Sequence, residues 1–136
     1  MLGIIFKFAV MEEKLSPDLL QAQLWSLLVP KEILIYFEII RVVELATNII
    51  IYLTEKQDLI PEKLKGKEPV LNGYLNDLEL QTYPIQGKSC HLVLRRRRWK
   101  EKGTDGRQSY WNEYDFAAEG TKATKAFGAF LKEYYP

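Results

Sequence analysis

Hydrophobic positions change their period several times along this chain. Leu20, Leu24, Leu27 and Leu28 recur at helical spacing, and Ser16-Pro17-Asp18 ahead of them supplies a serine cap, a proline at the first helical position and an acidic residue near the positive end of the dipole. Pro30 closes that element, and a short turn of helix is predicted at Lys31 to Tyr36. Phe37 to Leu45 and Asn48 to Leu53 are rich in Ile and Val, which predicts two strands around a tight turn at Ala46-Thr47-Asn48. Ile33, Phe37, Ile40 and Glu44 also fit an extension of the preceding helix. Thr54 to Pro69 is polar and holds two prolines, the pattern of a surface loop or a frayed helix.

Strand-like residues return at Val70 to Tyr83, where Asn72-Gly73 and Asn76-Asp77 introduce turns or a bulge. Pro84 to Gly87 reverses the chain, and His91 to Trp99 is the clearest strand. Gly103-Thr104-Asp105-Gly106 has the chemistry of a hairpin turn, which makes Ser109 to Phe116 a return strand. Gly120-Thr121 then opens a final helix with Ala123, Phe127, Phe130, Leu131 and Tyr134 on one apolar stripe, and Lys122, Lys125 and Lys132 off it. The expected fold is α+β: an antiparallel sheet of about four or five strands with a protruding basic β-hairpin and flanking N- and C-terminal helices.

With 136 residues, 47% of them apolar and 27% charged, the chain suits one globular domain. Residues 11–136 are expected to form it, with 1–10 as an apolar N-terminal extension. That extension lacks the basic flank and cleavage site of a secretory signal, and it reads as a buried N-terminal strand or as an over-extended start with Met11 as the natural first residue. No apolar run is long enough to span a bilayer, and the single cysteine, Cys90, excludes an internal disulfide. A soluble cytoplasmic protein without membrane association is expected.

Charge changes this picture. The net charge is +1, yet Lys88 to Arg107 holds eight basic residues and two acidic ones, leaving the remainder of the chain at −5. Such a stretch attracts polyanions out of proportion to the net charge. Four of those residues are consecutive, Arg95 to Arg98. On a strand they alternate faces, and because all four need water, carboxylates or an anion, the strand is expected to leave the core near Leu94 and continue as a ribbon. With Asp105-Gly106 as a two-residue turn, Arg98 faces Glu113, Arg96 faces Asp115, Arg97 faces Tyr114 and Arg95 faces Phe116. Arg95 and Arg97 are then the ligand-contacting pair and Arg96 and Arg98 the structural one, a distinction that a one-residue slip would undo.

Guanidinium groups meet phosphate oxygens bidentately, and Trp99, Tyr110 and Trp111 nearby offer stacking surfaces. The expected nucleic-acid-binding set is Lys88, Arg95, Arg96, Arg97, Arg98, Trp99, Lys100, Lys102, Arg107 and Lys122. The alternatives are docking onto a partner protein's acidic surface and plain solubilising charge, and these readings stay open. No catalytic, metal or cofactor site is expected. Cys90 and His91 are neighbours on a strand and point to opposite faces, the carboxylates show no two-metal spacing, and the glycines form no phosphate-cradling loop. Gly120-Thr121, with Lys122 beside it, reads either as an ordinary cap or as a helix N-terminus open to phosphate.

Tyr83-Pro84-Ile85-Gln86-Gly87-Lys88, the strand ending Arg95-Arg96-Arg97-Arg98-Trp99, and Gly120-Thr121-Lys122 with Thr124, Phe127, Phe130, Leu131 and Lys132 together resemble the N-terminal region of bacterial insertion-sequence transposases. In the kind concerned, that region is a separate short reading frame preceding the catalytic one. The likeness runs from roughly Leu15 to Lys132 and is densest after Tyr83. It implies a DNA-binding accessory module without enzymatic activity, recognising duplex DNA at terminal inverted repeats, with a separately encoded catalytic subunit as partner; a homodimer is compatible with the sequence but is not part of that implication. Related transposases carry a zinc-binding cysteine cluster about an equivalent strand. Cys90 and His91 stand alone here, so a four-ligand zinc site cannot be assembled.

Overall fold

A computed structural model describes residues 16–135. The apolar extension at 1–10 and the domain start at Met11 lie outside the described residues. Helix α1, Pro17–Leu28, begins where the local sequence directs, with Ser16 Oγ accepting from the N–H of Leu19 at 3.2 Å. Helix α2 is the single turn Lys31–Leu34. Strands β1, Phe37–Glu44, and β2, Asn48–Glu55, form the expected hairpin. The strand reading therefore holds from Phe37 onward, and β2 runs on through Thr54 and Glu55 into what the sequence suggests is loop. A 3-10 turn at Glu62–Leu64 buries Leu64 and leads to β3, Pro69–Tyr74.

β4, Leu78–Ile85, and β5, Lys88–Arg95, close on a two-residue turn, Gln86 at φ 52° and Gly87 at φ 75°. Two successive positive φ angles match the right-handed twist of the flanking strands. After Arg96 the chain resumes as β6, Arg97–Glu101, and it ends in α3, Lys125–Tyr134.

The strand order in the larger sheet is β1-β2-β5-β4. β2 and β5 run parallel, with Ile51 beside Leu92 and Leu53 beside Leu94, so the sheet is mixed and the expected antiparallel sheet is corrected. Both central strands present an apolar row to the same face, and pairing them side by side joins Ile49, Ile51, Leu53, Cys90, Leu92 and Leu94 into one floor. Val29, Ile33, Phe37 and Phe116 cover that floor. Each such large side chain contributes about 1.5–3 kcal/mol on full burial.

The protruding basic hairpin does not form. β6 pairs antiparallel with β3, Leu71 opposite Trp99 and Val70 opposite Lys100, in a separate two-stranded sheet. Of the expected return strand only the bridge between Trp99 and Tyr110 exists. Ser109 to Phe116 keeps an alternating pattern, with Asn112, Tyr114 and Phe116 turned inward and Trp111, Glu113 and Asp115 outward. Its inward side chains reach the core, where Tyr114 stacks on Phe116 at 5.1 Å and meets Phe37 edge-on at 5.2 Å. Aromatic burial there outweighs the ladder bonds a hairpin would gain. The final helix likewise starts later than Gly120-Thr121, because Ala123 and Thr124 are drawn alongside the β4 edge: Gln81 N–H donates to Lys122 O at 2.8 Å and Thr124 N–H to Gln81 O at 2.9 Å. Among the described residues no helix is long and apolar enough to cross a membrane.

Candidate nucleic-acid interface

The arginine run sits where the chain passes from one sheet into the other. Arg95 ends β5 beside Thr54, with its guanidinium 4.3 Å from the centre of the Tyr74 ring. Arg96 Nη2 donates to Asn76 O at 3.1 Å, and Arg98 Nε donates to Asn72 O at 2.7 Å. Three of the four arginines thus engage one stretch, Asn72 to Asn76, at the end of β3 and the start of its connection to β4. Arg97 turns the other way and is 8% exposed. Its Nε donates to Glu55 O at 2.8 Å and its backbone N–H to Glu55 Oε1 at 2.9 Å.

The register expected from the sequence is therefore replaced. Arg98 does not face Glu113, whose carboxylate accepts from Trp111 Nε1 at 2.7 Å. Arg96 does not face Asp115, which pairs with Lys125 at 3.2 Å. Arg97 stands opposite Tyr74 rather than Tyr114. The contrast between an exposed Arg95/Arg97 pair and a structural Arg96/Arg98 pair falls with that register.

The other basic residues differ in kind. Lys88 lies at the far end of β5, bonded to Glu44 Oε2 and Leu45 O, both at 2.9 Å. Lys102 pairs with Glu68 at 3.5 Å and Arg107 with Asp105 at 3.1 Å, while Lys100 Nζ donates to Thr104 O at 3.0 Å. Lys122 is exposed beside the β4 edge, two residues ahead of the Thr124 cap position, so it does not flank a helix terminus at Gly120. Trp99 is 7% exposed and offers no stacking surface, whereas Trp111 is 41% exposed.

Among the described residues, none of Arg95, Arg96, Arg97 and Arg98 forms an ion pair with a carboxylate. Their acceptors are backbone carbonyls and the Thr54 hydroxyl. Among the described residues, the Nη groups of Arg97 and Arg98, and Nη1 of Arg95 and of Arg96, have no acceptor and yet are not buried, whereas Arg96 Nε is buried without an acceptor. Solvent-facing guanidinium nitrogens without counter-charge at one junction are suited to an anion. No protein-family model matches the chain, and neither a curated protein nor a solved structure matches it.

Sequence reasoning overlooked Glu55, Asn72 and Tyr74. Glu55 is fully buried, and its Oε2 accepts from Asn112 Nδ2 at 3.3 Å and from the Tyr114 hydroxyl. Burial, and then the hydrogen bond to Glu55, push the Tyr114 phenol well above its ordinary range. A carboxylate at the end of an Ile-rich strand carries no local sign that a strand more than forty residues later will bond to it. Cys90 and His91 stand on opposite faces of β5, the first fully buried and the second partly exposed.

Proposed function

We propose that the chain is a non-catalytic DNA-binding accessory module acting in transposition, which contacts phosphate through the arginine junction at Arg95, Arg96 and Arg98. The observation that carries the reading is that these guanidinium groups keep solvent-facing nitrogens and have no carboxylate partner among the described residues, while Lys88, Lys102 and Arg107 are each paired with an acid. A site already fixed by backbone carbonyls meets phosphate oxygens without first breaking an ion pair. The resemblance to insertion-sequence transposases supports duplex DNA at terminal inverted repeats as the ligand and a cytoplasmic catalytic chain as the partner.

The test is a titration of duplex DNA at several salt concentrations. Wild-type affinity is expected to fall as salt rises, and Arg96/Arg98→Ala to lower the slope by about one unit per lost phosphate contact. Absence of duplex binding by folded protein at about 50 mM salt overturns the reading.

A second reading, docking onto a catalytic subunit, is favoured by α1. None of its residues is buried, and Leu19, Leu24 and Leu27 are 58%, 52% and 77% exposed. An apolar stripe of this kind marks interaction surfaces. Co-purification with a catalytic chain in the absence of DNA, lost on Leu24/Leu27→Ser, would select it.

A further inference from the structure

The four-stranded sheet has two unlike faces. One carries the apolar floor of the core. The other is set by the register: Arg41 beside Tyr52, Tyr52 beside Val93 and Val93 beside Glu79, with Val43, Ile50, His91 and Gln81 in the next row and Thr54 beside Arg95 at one end. None of these side chains belongs to the core cluster. Tyr52, Ile50, His91 and Val93 are partly exposed, as expected of residues standing side by side on an open sheet. The Tyr52 hydroxyl and the His91 ring nitrogens have no hydrogen-bond partner among the described residues and are not buried, so they reach solvent.

Two arginine–tyrosine pairs border this face. The Arg41 guanidinium lies 5.7 Å from the centre of the Tyr52 ring, and that of Arg95 lies 4.3 Å from Tyr74. Neither arginine has a carboxylate partner among the described residues. The carboxylates of the face, Glu38 and Glu79, stand on the outer strands β1 and β4, while the central strands present Tyr52, Ile50, His91, Val93 and Arg95. An apolar and aromatic centre between cations suits a ligand that is both anionic and planar-ringed.

Duplex DNA meets only half of that description, since its bases are stacked inside and offer no faces to a flat sheet. We infer that this face binds single-stranded nucleic acid, with a base stacked on Tyr52 in place of the Arg41 guanidinium that lies over the ring, neighbouring bases over Val93 and Ile50, and the backbone held by the displaced Arg41 and by Arg95. The inference rests on the nucleic-acid reading above and deepens it by assigning a second surface and a single-stranded ligand.

The experiment measures fluorescence anisotropy of a labelled oligothymidylate and of a labelled blunt duplex with wild type, Tyr52→Leu, Arg41→Ala and Arg98→Ala. Tyr52→Leu keeps the apolar bulk and removes the ring. It is expected to weaken oligothymidylate binding about ten-fold or more and to leave duplex affinity within about two-fold, because stacking on an aromatic ring is sequence-tolerant and specific to unpaired bases. Arg41→Ala, at an exposed position, should weaken the single strand several-fold, and Arg98→Ala should act chiefly on the duplex.

His91 is the only histidine, so its ring protons report on the face without assignment of other residues. They are expected to shift on addition of oligothymidylate and not on addition of duplex, a readout that stands even if Tyr52→Leu fails to fold. Duplex binding without single-strand binding, or single-strand binding unchanged in folded Tyr52→Leu with His91 unshifted, overturns this inference and leaves the arginine junction standing. Binding of neither ligand overturns both.

Discussion

Glu55 and Arg97 join the two sheets. The carboxylate at the end of β2 accepts from the backbone N–H of Arg97 at 2.9 Å, and the Arg97 Nε returns a bond to the Glu55 carbonyl at 2.8 Å. Asn112 and Tyr114 fill the second carboxylate oxygen from the segment that crosses the core. The node therefore fixes β2, β6 and the stretch carrying Tyr114 relative to one another, and through β6 it sets where the arginine run emerges.

Glu55→Ala should be among the most damaging single substitutions in the chain, costing about 3 kcal/mol or more, since it leaves several inward donors without an acceptor. Glu55→Gln keeps the shape but must turn its NH2 toward Arg97 N–H or toward Tyr114 and Asn112, placing donor against donor, so it is not expected to rescue. Urea denaturation of both variants measures this. A Glu55→Gln protein as stable as wild type would contradict the donor arrangement.

Stability should also fall at alkaline pH. Burial pushes the Cys90 thiol up to about 11 from 9.0, and Tyr114 is displaced upward in the same sense, first by burial and then by Glu55. For an acid whose folded pKa is raised, the stabilising difference is fully present below the unfolded value and is lost as pH climbs toward the folded one. Melting temperature is therefore expected to be flat with respect to Cys90 below pH 9 and to decline between about 9 and 11, with a shallower decline in Cys90→Ala. The same burial predicts that a thiol reagent modifies Cys90 only at the rate of unfolding.

Local signals were readable where the structure depends on neighbours in sequence. Ser16 caps α1, the β1–β2 hairpin follows the Ile/Val runs around Ala46-Thr47, and Gln86-Gly87 turns β4 into β5. Partner choice was not readable. The alternation from Tyr110 to Phe116 is genuine, but the same period serves a ladder strand and an extended segment laid over a core. Nothing in Val70 to Tyr74 marks it as the partner of β6, and β2 and β5 pair in parallel across a separation that sequence pattern does not encode. The arginine run was conspicuous in the sequence, whereas its carbonyl acceptors at Asn72 and Asn76 follow from the β3–β6 pairing alone.

Gly128, inside α3, sets two effects of known size against each other. Alanine at a helix interior gains up to about 1 kcal/mol over glycine. A Cβ here would lie far inside van der Waals contact distance of the Ala118 methyl, which must then move or overpack at about 1–3 kcal/mol. Gly128→Ala is expected to destabilise, and Gly128→Ala/Ala118→Gly to recover most of the loss. Thermal melts of the two single variants and the double variant test this coupling, and simple additivity would exclude the contact as its cause.

The arginines are expected to separate by stability in an order that the register read from sequence does not give. Arg97 is the buried one, and its Nε is the donor to the Glu55 carbonyl, so Arg97→Ala orphans an acceptor inside the node and removes the packed stem, a cost of about 1–3 kcal/mol. Arg98→Ala releases the part-buried Asn72 carbonyl, which costs about 0.5–1.5 kcal/mol. Arg96→Ala releases the exposed carbonyl of Asn76 and removes a buried Nε that has no acceptor among the described residues, so it should stay within about 0.5 kcal/mol of wild type. At roughly 4 °C per kcal/mol for a domain of this size, the melting temperatures should rank Arg97→Ala lowest, then Arg98→Ala, then Arg96→Ala. DNA affinity should follow a different order, with Arg96→Ala losing binding at unchanged stability, because its terminal nitrogen reaches solvent without a counter-charge. An Arg96→Ala protein that melts as early as Arg97→Ala would refute the separation between the residue that holds the sheets together and those whose terminal nitrogens face solvent.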